Sequence, residues 1–206
     1  MNLLTVTKTH TGVSIRSAFA AGERDFGENY VQEGLAKIAE LADLRAAIRW
    51  HLIGPLQSNK TREVAAHFDW VHTVDRLKLA QRLSDQRPPE LAPLQVCLQV
   101  NISGEASKSG VAPAEVAALA RAVAVLPRLR LRGLMAIPAA SAGFESQRAP
   151  HRALRELLES LDAEGLALDT LSMGMSGDLE AAIAEGATWV RVGSAIFGAR
   201  PARPAT

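Results

Sequence analysis

The stretch TLSMGMSGDLEAAIAEGATWVRVGSAIFG, residues 170–198, decides the fold. It reads as a short buried strand (TLSMGM, 170–175), a Ser-Gly-Asp turn, a helical stripe that stops at Gly186, and a second β-rich run (WVRVGSAIFG, 189–198). Turn residues open the helix and a glycine closes it, while β-branched and aromatic residues fill the second flanking strand. Two strands joined by one helix in so short a span make a parallel βαβ unit.

The same alternation continues back to the N-terminus. LLTVTK (3–8) is followed by the amphipathic SIRSAFAAG, then DFGEN, YVQEGLAKIAEL, WHLIG and NKTREVAAHF, and then the strands WVHTVD (70–75), PLQVCLQVN (93–101) and LRLRGLMAIP (129–138). That gives eight candidate strands separated by seven helical segments. In EVAALARAVAVL, Val116, Leu119, Ala120, Val123 and Leu126 share one helical face, as on a helix that covers a sheet. Gly22 closes a helix before the next strand as Gly186 does. The pattern predicts an α/β fold, a single closed (β/α)8 TIM-like barrel over residues 1–198, with a doubly wound open sheet as the alternative. AASAGFESQRAP (139–150) reads as a mobile loop and ARPARPAT (199–206) as a proline-punctuated tail.

Composition narrows the partners. Lys plus Arg number 23 and Asp plus Glu 22, so no broad field favours nucleic acid or an anionic membrane, and a small molecule is expected instead. The single cysteine, Cys97, lies in the apolar run LQVCLQV; it excludes an internal disulfide framework and is read as core packing. No charged leader precedes an apolar segment and no run is long enough to span a bilayer, so a cytoplasmic location is expected.

In a parallel barrel the chemistry gathers at the strand ends, where the βα loops surround one mouth. The residues at those ends are Lys8, Glu28, Asn29, His51, Gly54, Asp75, Asn101, Ser176, Arg191, Gly193 and Ser194. Ser176 sits in a turn ahead of a helix, where it suits either an anion site or an ordinary helix cap. Gly193 permits close backbone approach and Ser194 adds a hydroxyl. Phosphate sites in such barrels are built from the loops after strands seven and eight, which favours the anion reading. Closing the barrel brings the first strand beside the last, and so places Lys8 beside this cradle. An amine next to a phosphate site suits Schiff-base chemistry with a phosphorylated aldehyde, pyridoxal 5′-phosphate (PLP). A strand-end lysine taken alone is more often a surface or ion-paired residue; Lys60 and Lys108 lie in similar loops, but in the hydrophilic segments QSNK and EASKSG.

TVTKTH, RDFGENYVQE, WHLIGPLQSNK, HTVDR, QVNISGEASKSG, LPRLRLRGLMAIP, LSMGMSGDLEAAI and VRVGSAIFGAR run in order through nearly the whole chain. With these motifs the sequence resembles the pyridoxal phosphate homeostasis proteins, PLP-binding barrels related to the alanine racemase N-terminal domain. The resemblance implies Lys8 as the Schiff-base lysine, Asn29 beside the cofactor, Ser176, Gly193 and Ser194 around the phosphate, Arg191 facing the pyridine nitrogen, and Met173 in the same wall. It implies storage or delivery of PLP, with PLP-requiring apoenzymes as partners and a monomer as the family's usual state.

A donor-only guanidinium leaves the ring nitrogen unprotonated and the ring a poor electron sink, unless Arg191 instead pairs with a carboxylate inside the barrel. Catalysis would then need strong flanking acid and base groups. Related racemases add a β domain and a tyrosine opposite the lysine, whereas the only tyrosine here, Tyr30, begins a helix. His51 and His72 lie in strands, with His51 the one expected near the cofactor; His10, His67 and His151 are scattered, and no histidine pair has metal-ligand spacing. A carrier is therefore expected rather than an enzyme, with a single-domain amino-acid racemase as the alternative and binding of another phosphorylated metabolite as a third reading. Family members usually carry a helix before the first strand, whereas LLTVTK follows Met1 almost at once. An uncovered groove between the first and last strands, and hence self-association, is the expectation.

Overall fold

The computed structural model describes residues 1–105 and 108–198; the expected tail 199–206 lies outside them. Its strands are β1 (Asn2–Val6), β2 (Asp25–Glu28), β3 (Arg49–Leu52), β4 (Trp70–Val74), β5 (Leu94–Gln99), β6 (Leu129–Met135), β7 (Thr170–Ser172) and β8 (Trp189–Val192). They close into one barrel in sequence order, every pair parallel, with β1 completing the ring against β8 from Asn2↔Trp189 to Thr5↔Val192. The helices are α1 (Gly12–Ala20), α2 (Val31–Glu40), α3 (Thr61–His67), α4 (Leu77–Gln86), α5 (Val116–Ala124), α6 (Phe144–Ala163), α7 (Leu179–Ala184) and α8 (Ser194–Phe197).

Side chains alternate across each strand, so the barrel has two cores. Outward residues such as Phe26, Trp50, Leu52, Val71, Leu98 and Val190 pack with helical residues such as Ile15, Leu83 and Leu119 in one large cluster. The expected α5 stripe contributes Val116, Leu119, Ala120 and Val123, with Leu126 packed beside them. Inward residues form two small clusters, Leu4, Ile53 and Trp189, and Trp70, Cys97 and Met135. Cys97 is fully buried and burial pushes its thiol up, as a packing cysteine requires.

Several segments differ from their sequence reading, among them TLSMGM, which is strand only to Ser172, and LRLRGLMAIP, strand only to Met135. The loop expected over 139–150 becomes helix from Phe144 onward, entered through Gly143 at φ 89°. The proline-bearing segment is drawn into α6 because His151, Leu154 and Leu161 bury one face of the helix, even though Pro150, seven residues in, supplies no N–H to the helical ladder. WVRVGSAIFG is strand only to Val192, after which Ser194–Phe197 forms an eighth helix. LLTVTK likewise ends at Val6, leaving Lys8 in a turn whose next residue, Thr9, has φ 66°.

Candidate cofactor site

The strand alternation that points Leu4 and Val6 inward carries Lys8 to the barrel mouth. There a cavity of about 430 Å³ is bounded by Val6, Lys8, His10 and Asn29 on the β1–β2 side, and by Ser176, Gly177, Arg191, Gly193 and Ser194 on the β7–β8 side. Ile53, Ile137 and Met175 supply its apolar wall. Six of the seven residues expected to form the site thus line one cavity. Met173 does not: it is fully buried in the cluster between barrel and helices. Alternation turns Ser172 inward and Met173 outward; past the strand, Gly174 at φ 90° breaks that alternation, and Met175 lines the wall instead.

Two glycines make this mouth possible. A Cβ on Gly54 would meet the Asn29 carbonyl oxygen at 2.0 Å, so only glycine lets the loop after β3 press against the residue after β2. A Cβ on Gly193, just past β8, would meet the Val6 carbonyl oxygen of β1 at 3.0 Å. Ser176 is not a helix cap: Asp178 precedes α7 and accepts from the Met175 N–H at 2.7 Å and bonds His151 Nε2 at 2.9 Å.

Arg191 forms the floor. It is buried, yet no carboxylate forms an ion pair with it among the described residues; it donates to the Ser172 carbonyl at 2.7 Å, the Ser172 hydroxyl at 3.0 Å and the Ala136 carbonyl at 2.9 Å. Burial lowers its guanidinium to about 10, which leaves it a cation at neutral pH. The alternative of a carboxylate partner is therefore set aside.

Behind Arg191 a hydrogen-bonded chain fills the barrel. Ser172 Oγ lies 2.8 Å from His72 Nδ1, His72 Nε2 lies 2.9 Å from His51 Nδ1, and His51 Nε2 lies 3.0 Å from Asp25, which also pairs with Arg49. Burial depresses both imidazoles, His72 further below 6.5 than His51, so both are neutral. The Asp25 carboxylate only accepts, which makes His51 an Nε2–H donor; His72 Nε2 must then donate to His51 Nδ1, and the Ser172 hydroxyl to His72 Nδ1. Every donor points from Arg191 toward Asp25. His51, expected near the cofactor, therefore lies beneath the site, stacked on Trp70 at 5.4 Å, and does not line the cavity.

Other strand-end residues brace the loops. Asn101 donates to the carbonyls of Glu105 and Lys108, Asp75 pairs with Arg76, and Glu28 is fully buried with Lys37 at 2.7 Å. Burial raises the Glu28 carboxyl against the opposing pull of Lys37 and Thr7. Sequence reading missed His10, Gly177 and Met175 in the lining and the roles of Asp25 and Ser172 below it. Inward parity on the strands was the available signal for Ser172 and Asp25; His10 follows Lys8 by two residues.

The fit to a phosphorylated aldehyde can be tested on the wall itself. Asn29 Oδ1 is buried beside the cavity with no hydrogen-bond donor among the described residues, an acceptor suited to a ligand's donor. Two serine hydroxyls and two glycines stand where an anion would lie, with a buried cation below and an amine opposite. The residues fit.

A closed parallel barrel with a lysine, two serines and two glycines around one cavity at its C-terminal mouth is a TIM-like barrel of the kind that takes small-molecule ligands at that end. The chain belongs to the alanine racemase N-terminal domain family, whose model matches residues 1–201, and to its pyridoxal phosphate homeostasis branch. It is 66% identical to the pyridoxal phosphate homeostasis protein of Pseudomonas aeruginosa over 97% of this chain and 85% of that one. The protein of that name from Escherichia coli K12 is 56% identical over 97% and 86%. Among solved structures, PipY of Synechococcus elongatus superposes with a TM-score of 0.87 in its form with PLP bound, at 42% identity over 96% of this chain and 92% of that one.

Proposed function

We propose that this chain binds PLP at the barrel mouth, covalently through Lys8, and serves in intracellular PLP homeostasis by holding the coenzyme for storage or delivery. The observation that carries this reading is the single cavity shared by Lys8 with Ser176, Arg191, Gly193 and Ser194. Bound there, PLP supplies an electrophilic carbonyl for the Lys8 amine. Ser176, Ser194 and the Gly193 backbone would hold its phosphate, Asn29 would accept from a ring substituent, and Arg191 would face the ring nitrogen as a donor that cannot give up its proton. Met173 is left out of this set, and Met175 supplies apolar wall in its place.

The lining supports a carrier over a racemase. Among the described residues its ionisable side chains are Lys8, His10 and Arg191, with no carboxylate. Tyr30 is 60% exposed and lies outside it. The racemase reading rests on His10, whose ring packs against Phe197 at 4.5 Å within reach of the same cavity. Among the described residues no helix is long and apolar enough to cross a membrane, in keeping with the cytoplasmic role proposed. The test is incubation of the PLP-loaded protein with L-amino acids in heavy water, followed by addition of an apoenzyme. A carrier transfers PLP and leaves the α-hydrogens unexchanged. Rapid, Lys8-dependent exchange would establish the racemase instead.

A further inference from the structure

The Lys8 turn is gripped on both flanks by one helix. Lys37 of α2 donates to the Thr7 carbonyl at 2.6 Å, and Glu33 of the same helix accepts the Thr9 backbone N–H. Thr9 is one of two non-glycine residues with positive φ among the described residues, at 66°, a conformation a β-branched side chain adopts only when its surroundings impose it. The grip is itself tied together: Lys37 Nζ also donates to Glu28 Oε1 and Glu33 Oε1, each at 2.7 Å, and the Thr7 hydroxyl donates to Glu28. Lys37 thereby spends all three of its donors within the cluster.

We propose that Lys37 and Glu33 are positioning residues: by fixing the peptide groups on either side of Lys8, they hold its amine toward the cavity and favour covalent capture of the aldehyde. This rests on the PLP reading above, and deepens it by assigning work to residues outside the cavity. Without the grip, the turn relaxes from its left-handed residue and the amine samples directions away from the cradle, an ordering cost then charged against capture.

Glu33 is the residue to change, because its side chain is partly exposed and its loss leaves Lys37 still paired with Glu28. Glu33→Ala removes the Thr9 acceptor, while Glu33→Gln keeps an oxygen there. Three readouts are compared: amide exchange at Thr9 in the ligand-free protein, covalent capture of PLP, and binding of pyridoxine 5′-phosphate, which has no aldehyde. In Glu33→Ala, Thr9 exchange accelerates and PLP capture weakens by about tenfold, the worth of one charge-assisted hydrogen bond, while pyridoxine 5′-phosphate binding changes by less than about twofold. Glu33→Gln restores both exchange protection and capture. A freely exchanging Thr9 amide in the unaltered protein would overturn the proposal. So would a Glu33→Ala protein that captures PLP normally, or one that loses both ligands alike. If the unaltered protein binds neither ligand, the PLP reading fails, and Thr9 exchange still decides whether the grip exists.

Discussion

Arg191 is the residue where burial, charge and site meet. A guanidinium this deep, compensated by carbonyls and by an aligned chain of neutral donors, depends on each imidazole keeping one tautomer. Nitrogen NMR of the histidine side chains should show both His51 and His72 as neutral Nε2–H tautomers at pH 7. His72→Gln retains a donor and an acceptor at suitable spacing and should leave the His51 signal in place; His72→Leu should displace it and cost about 1–3 kcal/mol through the unsatisfied Ser172 and His51 groups. An Nδ1–H signal from either ring in the unaltered protein would contradict the assigned direction. At this scale the sequence was partly readable. Lys8, Ser176 and Ser194 stand out because polar residues at strand ends are informative, whereas the pairing of His72 with Ser172, 100 positions apart, exists only once the barrel closes.

Among the elements, the alternation of strands and helices was legible because strands buried on both faces read as continuous β-rich runs. Their ends were not. In LLTVTK and WVRVGSAIFG the β-rich composition continues into the mouth loops, while the backbone turns at Thr9 and enters α8 at Ser194. α6 was missed over its first turns because Ser, Gly and Pro residues signal a loop, and tertiary burial of His151 and Leu154 overrides them. Two mouth loops press together at Gly54, and its substitution tests how tightly they are set. Gly54→Ala places a methyl against the Asn29 backbone, and should lower unfolding free energy by about 1–3 kcal/mol while weakening PLP binding. Urea unfolding with an unchanged midpoint would show that the loops are free to part.

For the molecule as a whole, the interior chain makes stability depend on pH. His51 and His72 have folded values below 6.5, so the unfolded state binds more protons beneath that pH; their contribution is complete above 6.5 and declines as pH falls toward the folded values. Asp25 is raised by burial but lowered by more through His51 and Arg49; its contribution is present above the ordinary carboxylate value and is lost only as pH drops through the depressed one. Unfolding free energy should therefore be level above pH 7 and fall as pH drops below 6.5, with His72, the more depressed of the two, contributing the larger share. His72→Gln should remove the larger part of that slope, and a profile flat to pH 5 would show the imidazoles to be solvated. The closed barrel also sets what can meet at its mouth, since β1 and β8 pair only on closure and bring Lys8 to the loops that carry Ser176 and Ser194. That meeting is open to one measurement: incubate the protein with PLP, reduce with borohydride, and map the modified peptide by mass spectrometry. A single adduct on Lys8, lost in Lys8→Ala, is expected; unmodified protein, or an adduct on Lys37, Lys60 or Lys108, would contradict it.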